Sequence, residues 1–222
     1  MGKKRVFWLK LKGKGRTVAV MKKISKLFRE PVNALSHMAG SLASIAGLTL
    51  MVVMAAIHAD VWHVVSFAVF GTTLVFMYTT SFLYHGLNLS AKTLDLLRRI
   101  DHIMIFLVIA GSYTPLCLVP LRGPWGWSLF GIVWGMAGAG IVIKLFWMHL
   151  PRWISTVIYL GMGWLCMVAV FPLVRILGPA PLTWLALGGM SYSVGAVVYA
   201  LKKPDPFPGV FGFHEIWHIF VL

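Results

Sequence analysis

Read only as apolar and polar positions, the chain is a series of long apolar runs separated by short polar breaks. Seven runs stand out, at 34–57, 61–85, 101–120, 125–147, 153–176, 182–201 and from 211 onward. The breaks are HADVWH, GLNLSAKTLDLLRR, LRGPWG, MHLPRW, LGPAPL and KKPDPFPG. Most contain Pro, Gly or charge, the residues that end helices and open turns. The first six runs have about the 20 apolar residues that a helix needs to cross a hydrocarbon layer of roughly 30 Å. The pattern predicts an all-α integral membrane protein, a bundle of seven transmembrane helices. Only four residues follow His218, so the seventh helix is expected to be truncated in this chain.

Composition agrees with the pattern. Of 222 residues, 59% are apolar and 12% are charged, and mean hydropathy is +0.84. Soluble domains carry about 25% charged residues. The net charge of +14 would by itself suggest nucleic acid, but its distribution argues against such a partner. Eleven of the twenty Lys and Arg residues fall in the first 29. Residues 1–29 therefore form a basic tail ahead of a membrane domain at 30–222. The tail is either an amphipathic helix on anionic lipid or a partly disordered segment that only sets orientation. It lacks the apolar stretch and small-residue cleavage site of a secretory signal.

Basic residues in loops favour the cytoplasmic side. With seven crossings, the tail, Lys92, Arg98, Arg99, Lys144, Arg152, Lys202 and Lys203 share one side, and only Arg122 and Arg175 lie on the other. The N terminus is expected in the cytoplasm and the seventh span to leave on the far side. Cys117 and Cys166 sit in apolar runs and suggest packing, not a disulfide framework. The small-residue clusters Gly135/Gly138/Gly140, Gly161/Gly163 and Gly188/Gly189 suggest close helix approach.

Polar residues at membrane depth are costly and mark function. The first span has Glu30, Asn33 and His37 on one face. The second has Ser81 and His85 at i, i+4. The third opens with Asp101-His102, and the seventh has His214 and His218, again at i, i+4. The expected orientation brings all of these to the cytoplasmic level. Three histidines and a carboxylate at one depth suit Zn2+, which takes imidazole nitrogens at about 2.0–2.1 Å. His214 and His218 would supply two ligands from one turn and His85 the third, leaving a fourth position for water or substrate. Asp101 has a plainer reading as the cap of its helix. His58, His63, His149 and His102 read as interfacial residues or backbone partners.

His214-Glu215-Ile216-Trp217-His218 also matches H-E-x-x-H, the zinc metalloprotease pattern. A protease needs a further ligand downstream, and none follows in this chain. Glu215 suits a helix start, where a carboxylate is favoured, and lies about 100° from the histidine face.

Taken together, Glu30-x-x-Asn33-x-x-x-His37, Ser81-x-x-x-His85, Asp101 followed by IFLVIAGSYTP, and HEIWHIFVL resemble the hemolysin III family over residues 30–222. That family is the bacterial branch of the progestin and adipoQ receptors, related to adiponectin receptors and alkaline ceramidases. The resemblance implies a seven-helix bundle in the bacterial inner membrane. It also implies a zinc near the inner leaflet held by His85, His214 and His218, with Asp101 reaching it through a water and Ser81 nearby. The activity implied is hydrolysis of ceramide-like lipid amides, with membrane lipid or free fatty acid as partner. In that reading Asp101 orients or deprotonates water and Ser81 serves the oxyanion or substrate. Glu30, Asn33 and His37 support the ligands. The rival class is a non-enzymatic receptor or regulator of membrane state with a structural zinc. A cytolytic pore ranks behind both, because no row of polar residues runs the length of the spans.

Overall fold

A computed structural model describes residues 27–147, 150–207 and 211–222. The expectation of an amphipathic tail falls on residues outside this set, as does that for His149. Among the described residues the regular elements are helices. They are α1 Pro31–His58, α2 Val61–Gly86, α3 Ala91–Leu118, α4 Pro124–Phe146, α5 Arg152–Trp164, a 3-10 segment Leu165–Ala169, α6 Val170–Ile176, α7 Pro179–Leu201 and α8 Phe213–Val221. A lone antiparallel bridge joins Phe207 to Phe211 just before α8.

Local chemistry accounts for the boundaries. Pro31, Pro124 and Pro179 begin their helices, where the missing N–H would have had no helical partner. Asp60 caps α2, accepting from the backbone N–H groups of Trp62 and His63. Its carboxyl is held below its usual range, first by the hydrogen bond with the His63 side chain and then by the backbone one. Gly123, before α4, has φ +143°, a conformation that side-chain-bearing residues rarely adopt.

Two expected boundaries move. Glu30 stands just outside α1, as the residue preceding Pro31. More substantially, α3 starts ten residues before Asp101, so Asp101 is not the cap of that helix. Ser90 is the cap, its Oγ accepting from Thr93 N–H at 3.2 Å. The charges that made residues 91–99 look like a loop form ion pairs along the helix instead, Asp95 with Arg98 at 2.7 Å and with Arg99 at 3.3 Å.

Among the described residues six segments are long and apolar enough to cross a membrane: α1, α2, α3, α4, the stretch Trp153–Ile176 and α7. The seventh run appears as α8, nine residues long. Within Trp153–Ile176 the helix tightens to 3-10 just before Pro172. Proline cannot donate to the preceding turn, and its ring crowds the carbonyl four residues back. Polar backbone at membrane depth must find a partner, and at the start of the 3-10 segment Tyr113 of α3 is one. Its hydroxyl accepts from Cys166 N–H at 2.8 Å and lies 2.8 Å from Met162 O and 2.7 Å from Gly163 O.

Successive helices pack side by side, α1 on α2, α2 on α3 and α3 on α4, while α8 packs on α7 and α1. Phe106, Val133, Cys117 and Met162 are fully buried at the centre of the core. In lipid such packing drives association, because the surrounding tails are as apolar as the side chains. Of the glycines that the sequence singled out, Gly140 makes a close approach and Gly163 lies beside Tyr192, while Gly195, outside those clusters, makes another close approach. A Cβ on Gly195 would stand 2.6 Å from Phe220, and Gly140 abuts Phe106, whereas Gly135, Gly138, Gly161, Gly188 and Gly189 have open space. Large apolar side chains face outward, among them Phe76, Phe146, Phe171 and Trp184.

Candidate metal centre

The site is built where residues 29–30 meet the end of α2. Arg29 N–H donates to Gly86 O at 3.1 Å and Glu30 N–H to His85 O at 2.9 Å. The Arg29 guanidinium lies 4.6 Å from the Tyr84 ring centroid and also donates to the Tyr84 carbonyl. This pairing sets the Glu30 carboxylate against the His85 ring, with Oε2 2.8 Å from Nδ1. Asn33, one turn into α1, donates to the same oxygen at 2.9 Å.

That contact fixes the tautomer of His85. Nδ1–H donates to Glu30, so the lone pair is on Nε2. His85 Nε2 is buried and has no hydrogen-bond partner among the described residues. A buried imidazole lone pair left without a proton donor is costly and is the atom that a metal would use.

The helix α8 brings the other two rings. Spacing of i, i+4 stacks His214 and His218 on one face, with their Nε2 atoms 3.4 Å apart. Two nitrogens on a tetrahedral zinc at about 2.0–2.1 Å would stand about 3.3–3.4 Å apart. Ligand atoms of His85, His214 and His218 all lie within 4.8 Å of one another, so the three could hold one metal ion. His85 and His218 are buried and His214 is half-buried. His218 Nδ1 lies 2.9 Å from His37 Nε2. Donation of that N–H to His37 would leave the His218 Nε2 lone pair on the side of His214.

Glu215 faces elsewhere. Its Oε2 accepts from Gly212 N–H at 2.8 Å, at the start of α8. Its Oε1 lies 3.4 Å from Asn33 Nδ2. The carboxylate that completes H-E-x-x-H thus closes its own helix, in the role that the sequence suggested for it.

Ser81 and Asp101 line the same cavity as the three histidines, a space of about 1060 Å³ whose surface is mostly apolar. Ser81 is buried one turn before His85. Asp101 does not join the three-histidine group. His102 also lines the cavity, but its Nδ1 is 2.7 Å from Arg98 O, a backbone partner as expected. His63 is bound to Asp60. Spacing along α1 did not reveal that His37 touches His218, because the contact joins residues 181 positions apart. Tyr199, whose ring centroid is 6.0 Å from His214, was also missed; a lone tyrosine in an apolar run carries no signal.

A family model described as "Haemolysin-III related" matches residues 25–222. The chain is 44% identical over 193 residues to the Hemolysin-3 homolog of Bacillus subtilis (strain 168), covering 87% of each protein. It is 38% identical over 203 residues to Hemolysin-3 of Bacillus cereus, covering 91% of this chain and 90% of that one. It is also similar to the Adiponectin receptor protein of Drosophila melanogaster, 23% identical over 241 aligned positions, covering 92% of this chain and 50% of the receptor. No solved structure matches.

Proposed function

We propose, from the premise that this chain belongs to the haemolysin-III-related family, that it is a zinc-dependent hydrolase of lipid amides in the bacterial inner membrane. The single observation that carries this is the histidine cluster. Three imidazoles, two of them buried with their Nδ1 atoms held by Glu30 and His37, face one another beside a largely apolar cavity. The donor set fits zinc, an imidazole-binding ion, and fits no oxygen-loving cation as well. Zinc bound there would polarise an amide carbonyl and lower the pKa of water toward 7.

The chain's own residues take the other roles. Glu30 holds the His85 ring, and His37 holds His218. Asp101 takes the proton of the attacking water and returns it to the leaving amine. Ser81 donates to the oxygen on which negative charge develops. The apolar lining holds the acyl chain, and Glu215, kept at its helix start, is not the general base.

Orientation belongs to this proposal too. Eighteen of the twenty Lys and Arg residues on one side put the N terminus and the histidine cluster at the cytoplasmic leaflet. The helix α8 then starts at the cytoplasmic leaflet. The likeness to an adiponectin receptor favours the rival reading, a receptor or regulator of membrane state with a structural zinc. Structural sites are closed by four protein ligands, and among the described residues this group has three.

Metal analysis of purified protein tests the site. About one zinc per chain is expected, with loss in His85→Ala and His214→Ala; equal zinc in all three would overturn it. Incubation with a ceramide-like amide tests the chemistry. Product formation no greater than that of Asp101→Ala would overturn the hydrolase reading and leave the structural one.

A further inference from the structure

Lys144 stands in the last turn of α4 and is 3% exposed. Its ammonium has three donors and gives one to the neutral Ser155 Oγ, at 2.7 Å. None of the ion pairs among the described residues includes it. Charges withdrawn from water are normally matched by a counter-charge, since hydration is lost and must be replaced. Lys144 also lines the large cavity, together with Ser155, Thr156 and Arg98. Arg98 pairs with Asp95 through Nη2, but its Nε is buried with no hydrogen-bond partner among the described residues. Two cations therefore border one space. Of the four carboxylates on that space, Glu30 is engaged by His85 and Asn33 and Glu215 by Gly212 N–H, while Asp101 and Asp205 border it with no ion pair to Lys144 among the described residues. Much of the remaining lining is apolar, including Phe70, Leu74, Val108 and Leu116.

We infer that Lys144 is the anion-recognising residue of this cavity, binding the carboxylate or phosphate head of a membrane amphiphile whose chain lies along the apolar lining. The inference rests on reading the cavity as a lipid site, as the proposed function does, but it does not depend on the metal or on hydrolysis. Arg98 widens the positive field at the same head. A lysine that served only to tie α4 to Ser155 would leave binding indifferent to ligand charge.

The test is saturation binding to the full chain, chelator-washed and held in phosphatidylcholine nanodiscs. The probes are oleate, its uncharged methyl ester, dioleoyl phosphatidate and inorganic phosphate. Oleate or phosphatidate is expected to bind at least tenfold more weakly to Lys144→Met, since a hydrogen bond to a charged group is lost. Lys144→Arg should restore most of the affinity, and methyl oleate should bind Met variant and parent alike. The tighter of the two charged lipids identifies the head. Equal affinity of parent and Lys144→Met for the charged lipids overturns the inference. If Lys144→Met does not fold, oleate against methyl oleate on the parent chain decides, and equal binding sinks the proposal. Displacement of oleate by millimolar inorganic phosphate would mean a free-oxyanion site and overturn the amphiphile. Normal zinc content and amide hydrolysis alongside charge-blind binding would remove Lys144 alone and leave the proposed function standing.

Discussion

Glu30→Ala tests the logic of the metal centre without touching a ligand. Glu30 Oε2 takes the Nδ1–H of His85 at 2.8 Å and a donor of Asn33 at 2.9 Å. Removing the carboxylate leaves the His85 ring free to rotate and to change tautomer, so Nε2 is no longer held toward the other two histidines. A hydrogen bond to a charged group is worth about 1.5–3 kcal/mol. Losing it should lower metal affinity by about 10–100-fold, the range typical of partners behind metal-bound imidazoles. Glu30→Gln keeps an acceptor oxygen but loses the charge, and its loss should be smaller, about tenfold or less. The assay is zinc competition against a chelator of known affinity, on detergent-purified parent, Glu30→Gln and Glu30→Ala. The expected order is parent, Gln, Ala. Unchanged affinity in Glu30→Ala, in a variant with parental helix content, would refute the reasoning that the carboxylate orients His85.

Tyr113→Phe should destabilise the fold by about 1–3 kcal/mol, because it removes the acceptor of Cys166 N–H and leaves a buried donor unsatisfied; thermal melting in detergent checks this, and zinc content should not change. Gly126→Ala would drive a Cβ into the backbone carbonyls of Cys117 and Leu121, and overpacking of this kind costs about 1–3 kcal/mol, read as a lower melting temperature. The His63 hydrogen bonds hold the Asp60 carboxyl below the usual carboxylate range in the fold. Its stabilising contribution is therefore present above about pH 4 and is lost as pH falls through the lower folded value. Asp60→Asn should show a smaller loss of melting temperature than the parent between pH 5 and pH 3, and identical acid profiles would refute it.

The sequence reveals the helices where the pattern is long and apolar, and misplaces boundaries where helix continues into water. Residues 91–99 look like a loop because their charges lower local hydropathy, yet Ser90 and the Asp95–Arg98–Arg99 pairs make them helical. The histidine set is legible because i, i+4 spacing and span direction are both local readings. What lies beyond local reading is the set of contacts between distant elements. His37 on His218, Tyr113 on the backbone of Cys166, and Lys144 on Ser155 depend on how helices rotate against each other. Pro172 does announce a break in its helix, but not the tyrosine that packs against the backbone at Met162–Cys166.

The polar contacts around His85 form one continuous chain: Gly212 N–H to Glu215, Asn33 between Glu215 and Glu30, and Glu30 to His85. The same atoms that hold the His85 ring fasten the start of α8 to α1. Docking of the last helix and the approach of the three histidines therefore share contacts. Occupancy of the site should be felt as resistance of α8 to opening, and slow amide exchange along residues 213–221 would report whether the centre is filled.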